Sequence, residues 1–437
     1  MEHEMRHHES EKAALETVLT MSSANIKYGF GATREIGYDM KELGVKKVMV
    51  VTDPRLASQM PVAVSLDALK REGIEAVLYS EARIEPTDGS FKEAISFAQK
   101  GRFDGYVGIG GGSSIDTVKV ANLYATYPAD FLTYVNAPIG KGSPVPGPLR
   151  PMAAIPTTAG TGSETTGVAI FDLTEMHAKT GIAHRHLRPT LGVVDPDNTR
   201  SMPRMVAACT GFDVLIHAVE SYTTLPFTRR EAPTHPSLRP AYQGSNPISD
   251  VWAVRAIQLV AQNMLRALEA PGDDEARNGM MIAATFAGIG FNNAGLHLPH
   301  GMSYPVSGGV KGYTPEGYPS GQPIIPHGMS VVLNAPAAFR FTGPANPERH
   351  LEAARLMGAH VEGADPARAG DILAAAVIEL MRKAGMPNGL GAVGYTEADV
   401  DRLVEGTIPQ QRVTRLSPRP FNRDDLRRIF LDSLKLW

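Results

Sequence analysis

The first half of the chain alternates between short apolar runs and segments with helical spacing. The runs are rich in valine, isoleucine, alanine or glycine, and the segments between them carry apolar residues every three or four positions. Near-continuous apolar strands that alternate with helices are typical of a parallel sheet covered on both faces, so the pattern predicts an α/β domain. The expected strands are Lys46–Thr52, Ile74–Ser80, Gly105–Gly110 and Met152–Thr157, and the expected helices are Pro61–Glu72, Phe91–Lys100 and Ser114–Tyr124.

The second half carries a different pattern, because the strand-like runs end near Asp197. Long stretches rich in alanine, leucine and methionine follow, and they predict a helical domain. The turn-rich segment Val194–Asn198 marks the boundary, which gives an α/β domain over residues 25–197 and a helical domain over 198–437. Residues 1–24 are expected to be disordered or loosely ordered. The expected helices are Met205–Thr223, Pro247–Glu269, Asp274–Phe291, His327–Phe339, Arg349–Met357 and Pro366–Ala384.

Composition excludes several classes of protein. A net charge of −3 over 437 residues gives no electrostatic reason to expect nucleic acid or an anionic membrane as a partner. No run of about 18 apolar residues occurs, so no membrane span is expected. The single cysteine, Cys209, excludes an internal disulfide framework. The first ten residues are acidic and histidine-rich and show no signal or transit peptide, which leads us to expect a cytoplasmic protein, with a homo-oligomer possible.

Asp213 and His217 are four residues apart in an apolar, alanine-rich segment with helical spacing. On a helix both side chains leave the same face, one turn apart. A carboxylate and an imidazole presented in this way are two candidate ligands for a divalent metal. A surface contact, or a pair that supports the helix, is the alternative explanation.

His300 and His327 each lie in a Pro-His-Gly-Met sequence within an apolar setting. Two buried histidines in matching contexts suggest a shared partner, although hydrogen bonds to core backbone carbonyls would also satisfy them. One aspartate and three histidines suit iron(II) or zinc and are too rich in nitrogen for magnesium or calcium. The sequence therefore predicts a metal site made of Asp213, His217, His300 and His327.

A glycine-rich turn, Gly110-Gly111-Gly112-Ser113, runs from the end of a predicted strand into a helix. Glycines allow the backbone to approach a ligand closely, and the free N–H groups of the helix can hold a pyrophosphate. The spacing differs from the G-x-G-x-x-G fingerprint, and a tight turn capped by Ser113 is the alternative.

Two further features adjoin this turn. Asp53 ends the first clear strand, where an acid commonly receives the ribose hydroxyls of NAD and disfavours NADP, although it can also be a cap. The polar loop Pro156–Glu164 follows a later strand, and its small hydroxyl residues are placed to line a diphosphate or a nicotinamide ribose.

The GGGSSID turn, the PTTAGTGSE loop, the GFDVLIHAVES helix and the two PHGM histidines occur in this order. Together they resemble the group III, iron-containing alcohol dehydrogenases over nearly the whole chain. Four stretches are similar to one branch of that family, the hydroxyacid-oxoacid transhydrogenases. These stretches are Tyr242–Asp250, Ala287–Phe291, His300–Gly308 and Gly406–Val413.

The resemblance implies a Rossmann-like, NAD-binding N-terminal domain and a helical, metal-binding C-terminal domain with the active site between them. Asp213, His217, His300 and His327 match the family's metal ligands, for which iron(II) is expected and zinc(II) is possible. The residues that match its NAD contacts are Asp53, Gly110, Gly111, Gly112, Ser113, Asp116, Thr157, Thr158, Thr161 and Lys179. Without the resemblance, Lys179 would be read as a solvated lysine.

The sequence departs from the family at Tyr304, where many members carry a further histidine thought to help move the proton. His297, three residues before His300, is a candidate replacement, with a purely structural histidine as the alternative. The substrates of the branch carry carboxylates, so the cleft is expected to offer a cation. The candidates are Lys141, Lys311 and the arginines of the Thr228–Arg239 loop.

The activity that the resemblance implies is hydride transfer through bound NAD from a hydroxyacid such as 4-hydroxybutyrate to an oxoacid such as 2-oxoglutarate. An ordinary NAD-dependent alcohol dehydrogenase that releases NADH in each cycle is the main alternative. A lyase such as a dehydroquinate synthase shares the architecture with a differently composed metal site. A metallohydrolase would use the Asp/His site to activate water and the glycine-rich turn only for structure.

Overall fold

Six parallel strands form the main sheet of the N-terminal half, in the order β1-β8-β5-β4-β2-β3. The computed structural model describes residues 14–437 except 177, 320 and 322. A two-stranded antiparallel hairpin, which the sequence did not predict, forms a second sheet separate from the main one. The strands are β1 (Asn25–Tyr28), β2 (Lys47–Val51), β3 (Glu75–Tyr79), β4 (Gly105–Gly110), β5 (Met152–Pro156), β6 (Val168–Leu173), β7 (Ala178–Ala183) and β8 (Leu191–Val194).

Helices cover both faces of this sheet, as the continuous apolar strands predict. Val48 and Val50 belong to a core that includes residues of α1 and α2, whereas Met49 and Val51 belong to a second core with residues of α3 and α4. The alternation follows from the two-residue period of a strand. The bounds are α1 (Ile36–Glu42), α2 (Met60–Arg71), α3 (Asp88–Gly101) and α4 (Gly112–Thr126).

The C-terminal half is helical and is built around α5, which is buried on nearly all sides and packs against α6, α7 and α9. A helix that is apolar all round needs this kind of complete coverage. Among the described residues, no helix combines the length and the apolarity needed to cross a bilayer. The bounds are α5 (Arg204–Thr223), α6 (Pro247–Glu269), α7 (Asp274–Ala294), α8 (Leu298–Gly308), α9 (His327–Val332), α10 (Ala335–Thr342), α11 (Pro347–Leu356), α12 (Ala369–Ala384), α13 (Val400–Thr407), α14 (Gln411–Thr414) and α15 (Arg423–Ser433).

In the second half, the structure contains helices that the sequence did not predict, namely α8, α13, α14 and α15, and it interrupts one helix that the sequence predicted. The expected helix His327–Phe339 is divided into α9 and α10, with Leu333 and Asn334 between them. Pro336 lies in the first turn of α10. Because proline has no N–H and its ring clashes with the preceding turn, Pro336 favours the start of a new helix over the continuation of α9.

The segment before β1 also differs from expectation where it is described. Residues 1–13 of the expected loose segment lie outside the described residues, but the segment from 14 to 24 is held against the helical half. The N–H of Thr20 donates to Gln243 Oε1 at 2.9 Å, and the N–H of Ser22 donates to Asn293 Oδ1 at 3.0 Å. Glu16 pairs with Arg239 at 3.1 Å. These contacts order a stretch whose own sequence contains no regular pattern.

The close approach of α9 to α5 depends on Gly328. A Cβ atom at this position would lie 2.0 Å from the carbonyl oxygen of Cys209 and 2.9 Å from Cβ of Asp213. We predict that Gly328→Ala lowers the free energy of unfolding by ~1–3 kcal/mol, because α9 must move away from α5 to make room for the methyl group. Urea denaturation measures the change.

Gly312→Ala is the matched control, since a Cβ atom at Gly312 would meet nothing within 4 Å. The control is expected to unfold at the same urea concentration as the unaltered protein. Equal unfolding free energies for the two variants would contradict the proposed tight contact.

Candidate metal and dinucleotide site

Three helices bring the four predicted metal ligands together. Asp213 and His217 lie one turn apart on α5, His300 lies in the first turn of α8, and His327 begins α9. Oδ1 of Asp213 lies 3.7 Å from Nε2 of His217, 3.6 Å from Nε2 of His300 and 3.7 Å from Nε2 of His327. One ligand atom from each residue falls within 4.8 Å of all the others. The helix spacing and the repeated Pro-His-Gly-Met sequence thus predicted residues that meet in space.

The protein leaves polar atoms of this cluster without hydrogen bonds. Oδ1 of Asp213 and Nε2 of His300 are buried and find no hydrogen-bond partner among the described residues, although they face each other. Buried polar atoms are normally satisfied, so the pair calls for a further group. A divalent cation satisfies the carboxylate and the imidazole nitrogens at once, and the three-nitrogen, one-oxygen set suits iron(II) or zinc. The residues therefore fit the metal.

The electrostatics of the cluster keep Asp213 and His217 in the forms that bind metal. Burial lowers the pKa of His217 to about 3, so its imidazole is neutral near pH 7. Burial opposes ionisation of Asp213, but the surrounding histidines outweigh it and hold its pKa well below the usual range. His300 differs: burial lowers its pKa, but the carboxylates of Glu220 and Asp213 outweigh burial and raise it to about 9.

Glu220 explains this difference and was missed by the sequence prediction. It is fully buried on α5, its carboxylate forms a very short contact with Nδ1 of His300, and it accepts the N–H of His297 at 2.8 Å. A carboxylate on one imidazole nitrogen fixes the ring and directs the other nitrogen toward the metal. Glu220 lies seven residues after Asp213, two turns along the same helix face, so helical spacing offered the signal.

His297 does not face the cleft, which disagrees with its predicted role as a proton carrier. Its side chain is fully buried just before α8, and Nε2 lies 3.0 Å from the hydroxyl of Thr223. It is absent from the residues that line the cleft. Its ring lies between Thr223 and Glu220, whose Oε1 is 3.9 Å from Nδ1 of His297.

A cleft of about 370 Å³ joins the metal cluster to the glycine-rich turn. Its size lies within the range of small-molecule sites. The described residues that line it include nine of the ten residues predicted to bind NAD, namely Asp53, Gly111, Gly112, Ser113, Asp116, Thr157, Thr158, Thr161 and Lys179. Gly110 is the exception. Gly110 is the last residue of β4 and has a φ of 150°, a conformation that favours glycine. A Cβ atom there would lie 2.5 Å from Oγ of Ser114, so this glycine allows the tight turn and does not line the cleft.

Several predicted NAD contacts are also bound to the protein itself. Oδ1 of Asp53 accepts the N–H of Arg55 at 2.9 Å, which makes it a cap as well as a cleft residue. Asp116 accepts the hydroxyl of Ser163 at 2.6 Å and the N–H of Ile170 at 2.9 Å. Their roles toward NAD stay predictions.

Lys179 is buried and not solvated. Its Nζ lies 2.6 Å from Glu85 and 2.9 Å from Asp172. Burial opposes its charge, but the two carboxylates outweigh burial and raise its pKa. Lys179 therefore lines the cleft as a protonated lysine whose charge is balanced by two carboxylates.

Tyr304 lies in the cleft, and its ring is nearly parallel to that of His327, with centroids 6.4 Å apart. The predicted carboxylate-binding cations do not reach the cleft. Lys311 pairs with Asp399 at 2.6 Å, and Lys141 is exposed. Arg239 pairs with Glu16, and Arg229 and Arg230 are also absent from the cleft lining. The position of these residues in loops did not indicate whether their side chains reach the cleft.

The fold and the cleft together define a two-domain protein in which a buried Asp/His metal site faces a glycine-rich turn at a helix N-terminus. The family described as iron-containing alcohol dehydrogenase matches residues 23–196, and its C-terminal counterpart matches residues 241–434. The chain belongs to the iron-containing alcohol dehydrogenase family and is an oxidoreductase, which confirms the family and the fold class expected from the sequence.

Individual relatives place the chain within that family. The mouse protein named hydroxyacid-oxoacid transhydrogenase, mitochondrial, is 53% identical over 95% of this chain and 90% of its own length. This similarity confirms the predicted branch. The crystal structure of 1,3-propanediol oxidoreductase superposes with a TM-score of 0.83 at 28% identity and covers 95% of this chain and all of the other.

A sulfoacetaldehyde reductase from Bifidobacterium kashiwanohense, solved in complex with NAD+, has a TM-score of 0.78 at 25% identity. It covers 96% of this chain and 99% of its own. The iron-containing family and this NAD-bound structure bear out the predicted cofactors, NAD and a divalent metal. The cytoplasmic location expected from the sequence is wrong by comparison, since the mouse relative is named as a mitochondrial protein.

Removal of the Glu220 charge tests how His300 is oriented. We predict that Glu220→Gln lowers metal affinity about 10- to 100-fold, because the amide holds the imidazole less firmly and makes it less basic. Competition with a chelator of known affinity measures the change.

Glu164→Gln is the matched control. Glu164 is also a buried carboxylate, but it bonds to the hydroxyl of Thr285 at 3.1 Å and contacts none of the four ligands. An equal loss of metal affinity in the two variants would show that any buried charge change has this effect, and the orienting role of Glu220 would be rejected.

Proposed function

We propose that the protein is a hydroxyacid-oxoacid transhydrogenase that moves a hydride from a hydroxyacid such as 4-hydroxybutyrate to an oxoacid such as 2-oxoglutarate. The observation that carries the proposal is the convergence of Asp213 and three histidines in the cleft that also contains the glycine-rich turn. The 53% identity to the mouse transhydrogenase supports the substrate class. The expectations of a homo-oligomer and of no nucleic-acid or membrane partner stay predictions.

The N-terminal half is suited to bind NAD and the C-terminal half is suited to bind the metal. The backbone N–H groups at the start of α4, together with the glycines before it, are suited to hold the pyrophosphate of NAD. Asp213, His217, His300 and His327 would hold the metal, which supplies a Lewis acid that lowers the pKa of a substrate hydroxyl or polarises a carbonyl. The cleft would hold the substrate beside the nicotinamide of bound NAD, and positioning of this kind can supply a large part of the rate enhancement.

The overall reaction balances without an external oxidant. 4-Hydroxybutyrate loses a hydride from C4 and a proton from its hydroxyl group, and it becomes succinic semialdehyde. Bound NAD would supply the hydride carrier between the two substrates. C2 of 2-oxoglutarate gains the hydride and its carbonyl oxygen takes up a proton, which forms 2-hydroxyglutarate. The enzyme and its NAD return to their starting states, so NAD need not leave between the half-reactions.

The retention of NAD separates this function from an ordinary alcohol dehydrogenase. We predict that the purified protein, with no NAD added, transfers deuterium from 4-hydroxybutyrate labelled at C4 to C2 of 2-hydroxyglutarate. Mass spectrometry of the product and assay of NAD released on denaturation check the outcome. Activity only with added NAD, together with NADH accumulating in solution, would support the dehydrogenase instead.

Two histidine variants provide the control for this assay. His300→Ala is expected to abolish deuterium transfer, because it removes a metal ligand and the partner of Glu220. His360→Ala changes an exposed histidine outside the cleft and is expected to retain the full rate. Equal rates of deuterium transfer in both variants would show that the metal cluster is not needed for the reaction.

A further inference from the structure

The substrates of the proposed function carry a carboxylate away from the carbon that reacts, so the cleft needs a cation at a distance from the metal. Among the described residues, the lysines and arginines that line the cleft are Arg55, Lys179 and Arg412. Lys179 is already neutralised by two carboxylates. Arg55 is exposed, and its Nη1 donates to the carbonyl of Gly317 at 3.1 Å. Arg412 is the remaining candidate.

The guanidinium of Arg412 is held in place by two aromatic residues. Its Nη2 donates to the hydroxyl of Tyr304 at 3.0 Å, and its central carbon lies 5.0 Å from the ring centroid of Tyr242. These contacts fix the plane of the guanidinium from two sides. The side chain is therefore arranged before any ligand arrives, which reduces the entropy that binding must overcome.

One edge of this guanidinium has no acceptor. Nη1 of Arg412 is shielded from solvent and has no hydrogen-bond partner among the described residues, and the groups that stabilise the Arg412 charge are the side chains of Tyr242 and Tyr304. A buried charged donor without an acceptor destabilises a folded protein, so such a group indicates a place for an anion. Arginine favours carboxylates because its parallel N–H groups match the two oxygens.

The position relative to the metal ligands suits a short acid. Tyr304 accepts from Arg412 through its hydroxyl, and its ring is stacked at 6.4 Å from the imidazole of His327. One aromatic side chain, that of Tyr304, thus lies between Arg412 and a metal ligand, and all three residues line the cleft. A substrate of a few carbons can therefore place its reacting carbon near the metal ligands and its carboxylate near Arg412.

We propose that Arg412 is the specificity-determining residue that binds the substrate carboxylate, with Tyr304 and Tyr242 as positioning residues that hold its guanidinium. The inference rests on the proposed function, because it names the recognition of a hydroxyacid or oxoacid at the same site. It also assigns a use to three of the stretches that resemble the transhydrogenase branch, since Tyr242, Tyr304 and Arg412 each belong to one of them.

The test measures binding and chemistry separately in Arg412→Met, Arg412→Lys and Arg412→Gln. Calorimetry gives the affinity for butyrate, an unreactive carboxylate, and stopped-flow absorbance follows the reduction of bound NAD by 4-hydroxybutyrate or by butan-1-ol. Arg412→Met is expected to weaken butyrate binding about 10- to 100-fold and to raise the half-saturating 4-hydroxybutyrate concentration similarly. Butan-1-ol, which has no carboxylate, is expected to react as with the unaltered protein.

The other variants separate charge from structure. Arg412→Lys is expected to recover part of the butyrate affinity, because lysine keeps the charge without the paired N–H groups, and Arg412→Gln is expected to recover little. Arg415→Met is the matched control, since Arg415 is an exposed arginine three residues away whose Nε donates to the carbonyl of Gln411. Its butyrate affinity is expected to be unchanged.

Two results would overturn the inference. One is unchanged butyrate affinity in a folded Arg412→Met or Arg412→Gln protein. The other is an equal loss with 4-hydroxybutyrate and butan-1-ol, which would show that Arg412 only supports Tyr304. If the unaltered protein binds butyrate through Arg412 but does not oxidise 4-hydroxybutyrate, the proposed function fails while the carboxylate site stands.

Discussion

The attraction of one buried carboxylate and three imidazoles for a common cation is the interaction on which this structure depends. Asp213 and His217 come from the buried helix α5, and His300 and His327 come from two later helices that must reach the same point. Without a cation, a buried carboxylate oxygen and an imidazole nitrogen have no hydrogen bonds. These unsatisfied atoms destabilise the protein without metal, and the free energy of metal binding offsets that destabilisation.

The surroundings of the cluster show how the fold holds the ligands at short range. Gly328 lets α9 approach α5 so closely that a Cβ atom would overlap the carbonyl of Cys209. Glu220 fixes the ring of His300 from behind, and Phe291 stacks on His217 at 4.1 Å between ring centroids. The open side of the cluster faces the cleft, where Arg412 offers a charge to the far end of a substrate.

Local patterns predicted the parts of the molecule that depend on local sequence. The valine-rich strands, the helices α5, α6 and α7, and the four metal ligands followed from spacing and from a repeated tetrapeptide. The hairpin β6–β7 was missed because its strands do not form the continuous apolar runs of a parallel sheet. Arg412 was missed because its partner Tyr304 is 108 residues away, and nothing in the sequence around it indicates that contact.

Anomalous diffraction at the iron absorption edge tests the central claim most directly, with crystals grown anaerobically from the unaltered protein. The account predicts one strong peak about 2.0–2.2 Å from a carboxylate oxygen of Asp213 and from Nε2 of His217, His300 and His327. A protein that contains tightly bound iron but shows its peak elsewhere, or has no metal of any kind at these four side chains, would contradict it.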